Sequence, residues 1–210
     1  MISLSKHPMP DILERNGARW TNELLKLIAD GVNPTDYLLS RYSHPDIKSA
    51  LLLETSEKCA YCESAFRHVT YGDVEHILPK RANPELRFNW QNLTVACDIC
   101  NTNKAEHELI DPYVDNPANA FVFCGPVIWA KPDNDRAMLS EIRLDLNRTA
   151  LVQRRQERLE FLRNLIISAF GKPPDVRDAI LDKARREVAE TQPFSACTKA
   201  ALEKIAEMVG

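Results

Sequence analysis

Two C-x-x-C knuckles, "CAYC" (Cys59, Cys62) and "CDIC" (Cys97, Cys100), bracket residues 63–96 of this chain. Each knuckle can place two thiolates on one ion, and two knuckles complete a closed tetrahedral zinc site. Such an ion supplies folding energy outright, so a small module can form around it without a large apolar core. The alternative for these cysteines is four buried thiols or two redox pairs. The opening stretch, "MISLSKHPMPDILERNG", has neither the apolar centre nor the small-residue cleavage site of a signal peptide. No apolar run is long enough to span a bilayer, so no membrane role is expected. A cytoplasmic location is the resulting expectation, and there cysteines serve metals more often than disulfides. Cys124 and Cys197 stand outside any motif and read as core thiols.

The knuckles also organise the chain. Residues 1–57 read as helical. "GARWTNELLKLIADG" spaces Trp20, Leu24, Leu27 and Ile28 along one face, with Gly31 as the C-terminal cap. Asn33-Pro34 reads as a cap and first-turn proline opening "PTDYLLSRY", and Pro45 starts a third helix. Residues 58–111 hold short β-prone pieces, "HVTY" and "DVEHIL", and a helix through "DICNTNKAEHEL". Residues 112–210 open with a hairpin in "AFVFCGPVIWA" that turns at Gly125-Pro126. Four helices follow: a short one to Leu146, then 149–170, 175–190, and 195–209 capped by Ser195. The expected class is α+β, a small metal-centred module embedded between two helical regions.

Inside the module, "YGDVEHILPKR" sets Glu75 and His76 side by side where a β-prone run gives way to a proline loop. Adjacent residues of a strand face opposite ways. Further on, "NWQNLTVACDICNTNK" carries Asn92 ahead of the second knuckle, Asn101 immediately after Cys100, and Lys104 one helical turn later. This order resembles the HNH endonucleases, the ββα-metal nucleases, in their subclass braced by a four-cysteine zinc site. The resemblance implies a zinc-braced ββα-metal fold over residues 58–111. It places Glu75 as a metal ligand, His76 as general base, Asn92 as the residue bracing the loop, Asn101 as second ligand and Lys104 near the phosphate. The family's commoner acid is Asp, and His often stands where Asn101 does. The oxygens of Glu75 and Asn101 suit magnesium or manganese as the catalytic ion. A hard cation there would polarise the phosphate, while His76, at an ordinary pKa near 6.5, would deprotonate the attacking water. The bland alternative is a solvated Glu beside a half-buried His. His68 and His107 read as solvated or supporting residues, and Phe88 and Trp90 as packing more than base stacking.

A longer likeness covers more of the chain. "KCAYCE", "VEHILPK", "NLTVACDICNTNK", "LIDPYVDNP" and "LDLNRTALVQRRQ" recur in that order in PtuB-like proteins, the HNH nuclease subunits of Septu and some retron-linked anti-phage systems. This resemblance implies a DNA-cutting effector that works with an ATPase subunit, with residues 1–57 and other flanking helices helping to form the complex. Charge is consistent with a need for help. The formal net charge is −3, and residues 58–104 carry six Lys and Arg against five Asp and Glu, little for gripping a polyanion. Lys80 and Arg81 fit a phosphate approach. Arg154, Arg155 and Arg158 crowd one helix sector and read either as a contact for nucleic acid or an acidic partner, or as a solvated face. The competing functions are a stand-alone restriction-type nuclease, a non-catalytic zinc-stabilised scaffold, and a nuclease acting on RNA.

Overall fold

A hairpin of two four-residue strands carries the acid-His pair. Strands β1 (Asp73–His76) and β2 (Leu93–Ala96) pair antiparallel, with Asp73 opposite Ala96, Glu75 opposite Thr94 and His76 opposite Leu93. The computed structural model describes the backbone of residues 1–209 and the side chains of residues 1–204. Helix α4 (Asp98–Lys104) follows β2 directly and packs on β1, giving a ββα unit. The helix stops well short of the Leu109 end expected from sequence. Its last turn closes with Ala105 N–H donating to the Asn101 carbonyl, and Ala105 then takes φ +47. "HVTY" forms a turn rather than a strand, ending at Gly72 with φ +62.

Gly72 is required twice over. Its φ lies in the left-handed region, and an added Cβ would stand 2.3 Å from Phe66 Cε2 and 2.8 Å from the Ala96 carbonyl. Gly72→Ala is therefore expected to cost about 2 kcal/mol or more in urea unfolding. An unchanged midpoint would contradict this close approach.

Before the module, α1 (Asp11–Ala29), α2 (Asp36–Ser40) and α3 (Pro45–Glu54) form the N-terminal region. Helix α1 begins ahead of Gly17, since Asp11 and Glu14 suit the positive end of a helix and extended Pro10 precedes them. The cap of α2 is Thr35, not Asn33: its Oγ1 accepts the Leu38 N–H at 3.2 Å. Trp20 of α1 meets Phe88 edge-on at 5.6 Å, so this region packs onto the module.

After the module come α5 (Pro117–Ala120), β3 (Phe121–Cys124), β4 (Val127–Ala130), α6 (Asp135–Arg143), α7 (Thr149–Ser168), α8 (Pro174–Glu187) and α9 (Ser195–Val209). Strands β3 and β4 form the hairpin expected at Gly125-Pro126, with Gly125 at φ +57. Cys124 is exposed, not a core thiol, because the alternation that buries Phe121 points it outward. Cys197 is buried, its thiol 3.4 Å from the Gly125 carbonyl. One continuous core joins all three regions, running through Leu13, Ile47, Leu51, Leu93, Val95, Leu144 and Leu151. Among the described residues no helix is long and apolar enough to cross a membrane.

Candidate active site and cysteine centre

The knuckles converge as their spacing requires. The four sulfurs of Cys59, Cys62, Cys97 and Cys100 lie within 4.8 Å of one another, and those of Cys62 and Cys97 are 3.8 Å apart. Zinc–sulfur bonds of about 2.3 Å give tetrahedral edges of about 3.8 Å, so donor type and spacing both fit such an ion. All four cysteines are buried. Arg148, just before α7, brings its guanidinium to 3.8 Å from the Cys100 sulfur and 4.0 Å from that of Cys97. Sulfurs bound to an ion carry excess negative charge, and the guanidinium offsets part of it.

Beside this centre, Glu75, His76, Pro79, Lys80, Asn101, Ala105 and Glu106 line a cleft of about 180 Å³. His76 is only 3% exposed. Its Nε2 sits 3.0 Å from the Arg87 carbonyl, which can only accept, so Nε2 carries the hydrogen and Nδ1 the free lone pair. Tyr42, in the turn after α2, meets the imidazole edge-on at 4.5 Å. Burial pushes the imidazole pKa down to about 3, against the Arg87 hydrogen bond and with help from Lys80, Arg87 and Lys104. The ordinary value near 6.5 expected from sequence does not hold, because burial penalises the charged imidazolium.

Lys104 is a correction. It is 1% exposed, donates to the His76 carbonyl at 2.8 Å and pairs with Glu75 Oε1 at 3.1 Å. It therefore faces the strand and offers no phosphate contact. Burial raises the Glu75 pKa, and Lys104 opposes that rise. Removing only one member of such a pair strands the other. Lys104→Met is expected to cost about 3 kcal/mol in denaturant unfolding, with Glu75→Gln added on top recovering part of it.

Asn92 spans the loop after β1. Its Oδ1 accepts the Leu78 N–H at 2.8 Å, and its Nδ2 donates to the Leu78 carbonyl at 3.1 Å and the Leu86 carbonyl at 3.4 Å. Asn101, on the first turns of α4, donates from Nδ2 to Asp73 Oδ2 at 2.7 Å.

Residues 59–107 match the HNH endonuclease family. The Septu protein PtuB of Bacillus thuringiensis is 32% identical over 93% of this chain and 78% of its own length. The chain belongs to the PtuB family. The Septu protein PtuB of Bacillus mycoides (strain KBAB4) is 31% identical over 32% of this chain and 27% of its own length. The matched HNH segment runs from the first knuckle past the end of α4, enclosing the four sulfurs, the hairpin and all of the cleft's lining. This PtuB-family chain is thus an HNH endonuclease, an α+β protein with a four-cysteine metal site.

The basic residues divide sharply in this PtuB-family fold. Lys80 is half-buried on the cleft wall and donates to the Tyr42 hydroxyl at 2.9 Å, while Arg81 is exposed beside it. Arg154, Arg155 and Arg158 do not make a common face. Arg155 is 2% exposed and donates to the Pro126 and Leu146 carbonyls, so it is a structural tie and touches no nucleic acid. Arg158 is held by Glu187 at 3.0 Å, and only Arg154 is exposed, paired with Glu157 at 2.8 Å. His68 is exposed and His107 half-buried, both off the cleft lining. Phe88 and Trp90 are buried in packing. Sequence reasoning missed Tyr42, Asp73 and Arg148. Only Asp73, two residues before Glu75 and so on its face of the strand, left a signal.

Proposed function

We propose that this chain is the nuclease effector of a two-component anti-phage defence system, hydrolysing phosphodiester bonds in DNA together with an ATPase subunit. The observation that carries this reading is the convergence of Glu75, His76 and Asn101 on one cleft beside the cysteine centre. Cys59, Cys62, Cys97 and Cys100 hold structural zinc. Glu75 and Asn101 would hold magnesium or manganese, for which their oxygens are the right donors. When bound, that cation polarises the phosphate and stabilises the leaving oxygen.

The protein groups do the rest. His76 takes the proton of the attacking water on Nδ1, the nitrogen left free by the Arg87 carbonyl. The edge of Tyr42 and the Arg87 carbonyl fix the ring against rotation. Asn92 ties the loop after β1 to β2, which keeps Glu75 and His76 in register. Lys80 and Arg81 orient the phosphate at the cleft mouth.

The ATPase is what the likeness to PtuB implies, and the few cations left for DNA on the nuclease module support a need for a partner. Of the basic residues in 58–104, Lys58 and Lys104 are buried, Arg67 pairs with Glu57, and Arg87 donates to the Leu39 carbonyl. That leaves Lys80, on the Tyr42 hydroxyl, and Arg81, 3.7 Å from Glu106, which neutralise too few phosphates for tight binding. We assign docking of the partner to the helical regions 1–57 and 112–210, which flank the nuclease module 58–111. The test is cleavage of supercoiled plasmid in manganese or magnesium, by the zinc-loaded chain alone and with the ATPase subunit. Metal-dependent cutting that the ATPase strengthens is expected. No cutting in either arm would overturn the reading.

A further inference from the structure

The Asn101 carboxamide is pinned by a carboxylate that lies outside the acid-His pair. Asp73 opens β1, on the face it shares with Glu75, and accepts the Asn101 Nδ2–H at 2.7 Å. A carboxylate at this distance accepts and does not donate, so the amide nitrogen must be the atom that faces it. The amide oxygen then points away from Asp73.

We propose that Asp73 is a positioning residue for the catalytic cation. It fixes the amide of Asn101 so that Oδ1, not Nδ2, is presented to the cleft alongside Glu75. This inference rests on the reading of Glu75 and Asn101 as the ligands. An unrestrained carboxamide presents either end by a flip of its terminal torsion, and only the oxygen end can bind magnesium or manganese. Asp73 removes the wrong flip before the ion arrives. Its own charge matters less, because the side chain is exposed and screened by solvent and salt. The hydrogen bond is what acts, and Asn at this position retains an acceptor oxygen without the charge.

That difference supplies the test. Manganese alone is titrated into the zinc-loaded full chain, with the free ion followed by electron paramagnetic resonance and plasmid cleavage measured across the same concentrations. Asp73→Ala is expected to weaken manganese binding by about tenfold or more, with most of kcat restored at saturating manganese. Asp73→Asn is expected to recover most of the lost affinity. Wild-type affinity in Asp73→Ala would overturn the proposal, and so would an Asp73→Asn variant as weak as Asp73→Ala. Glu75→Gln and Asn101→Ala are run beside them. If both bind manganese like the wild type, the metal reading of the cleft fails, and the proposal falls with it.

Discussion

His76→Ala is expected to lower plasmid cleavage by about 10²–10⁴-fold, the usual contribution of a general base. Zinc content and far-ultraviolet circular dichroism should be unchanged, because the ring touches none of the four sulfurs. The variant also tests the burial of the imidazole. With a folded pKa of about 3 and an unfolded value near 6.5, the unfolded chain takes up a proton that the folded chain refuses. Stability from this residue is therefore complete above about pH 6.5 and is lost as pH falls towards 3. The slope is about 1.4 kcal/mol per pH unit. Urea midpoints at pH 7, 6 and 5 should fall faster for the wild type than for His76→Ala. Parallel curves would show that the imidazole is solvated and free to charge.

Why Lys104 and Arg155 were misjudged, while the knuckles and hairpins were legible, comes down to what spacing encodes. C-x-x-C, Glu75-His76 and Gly125-Pro126 are local: their geometry is set within a few residues by bond lengths, strand alternation and turn chemistry. The side to which a long basic side chain turns is not local. Lys104 sits one turn after Asn101, where outward and inward placement are equally good helix positions, and the early stop at Ala105 is not marked by glycine or proline. Its burial depends on Glu75, which approaches it only after β1 and α4 have packed. Arg155 likewise finds the Pro126 carbonyl only once α7 meets the β3–β4 hairpin. Tyr42 reaches His76 from the N-terminal region, and Arg148 reaches the sulfurs from beyond the module. No window along the chain contains those pairs.

The same locality makes the cysteine centre the point where a single substitution is expected to cost most. Cys97 is the residue between β2 and the first turn of α4, so an ion held there would fix the angle between hairpin and helix. Two four-residue strands are too little to stand alone in water. Burial of Val74, Leu93 and Val95 adds roughly 1.5–3 kcal/mol each. Structural zinc contributes an apparent ~10–16 kcal/mol in comparable small modules, as much as the whole stability of an ordinary domain. Cys97→Ser should therefore yield a zinc-free chain that loses cooperative unfolding and near-ultraviolet dichroism, with no cleavage at any manganese concentration. Cys124→Ser, at an exposed thiol, is the control and should match the wild type. A Cys97→Ser chain that still unfolded cooperatively would mean that the core shared with the flanking helices, not the ion, sets the hairpin against α4. Glu75 and Asn101 would then owe their meeting to Leu13, Trp20 and Phe88 rather than to the four sulfurs.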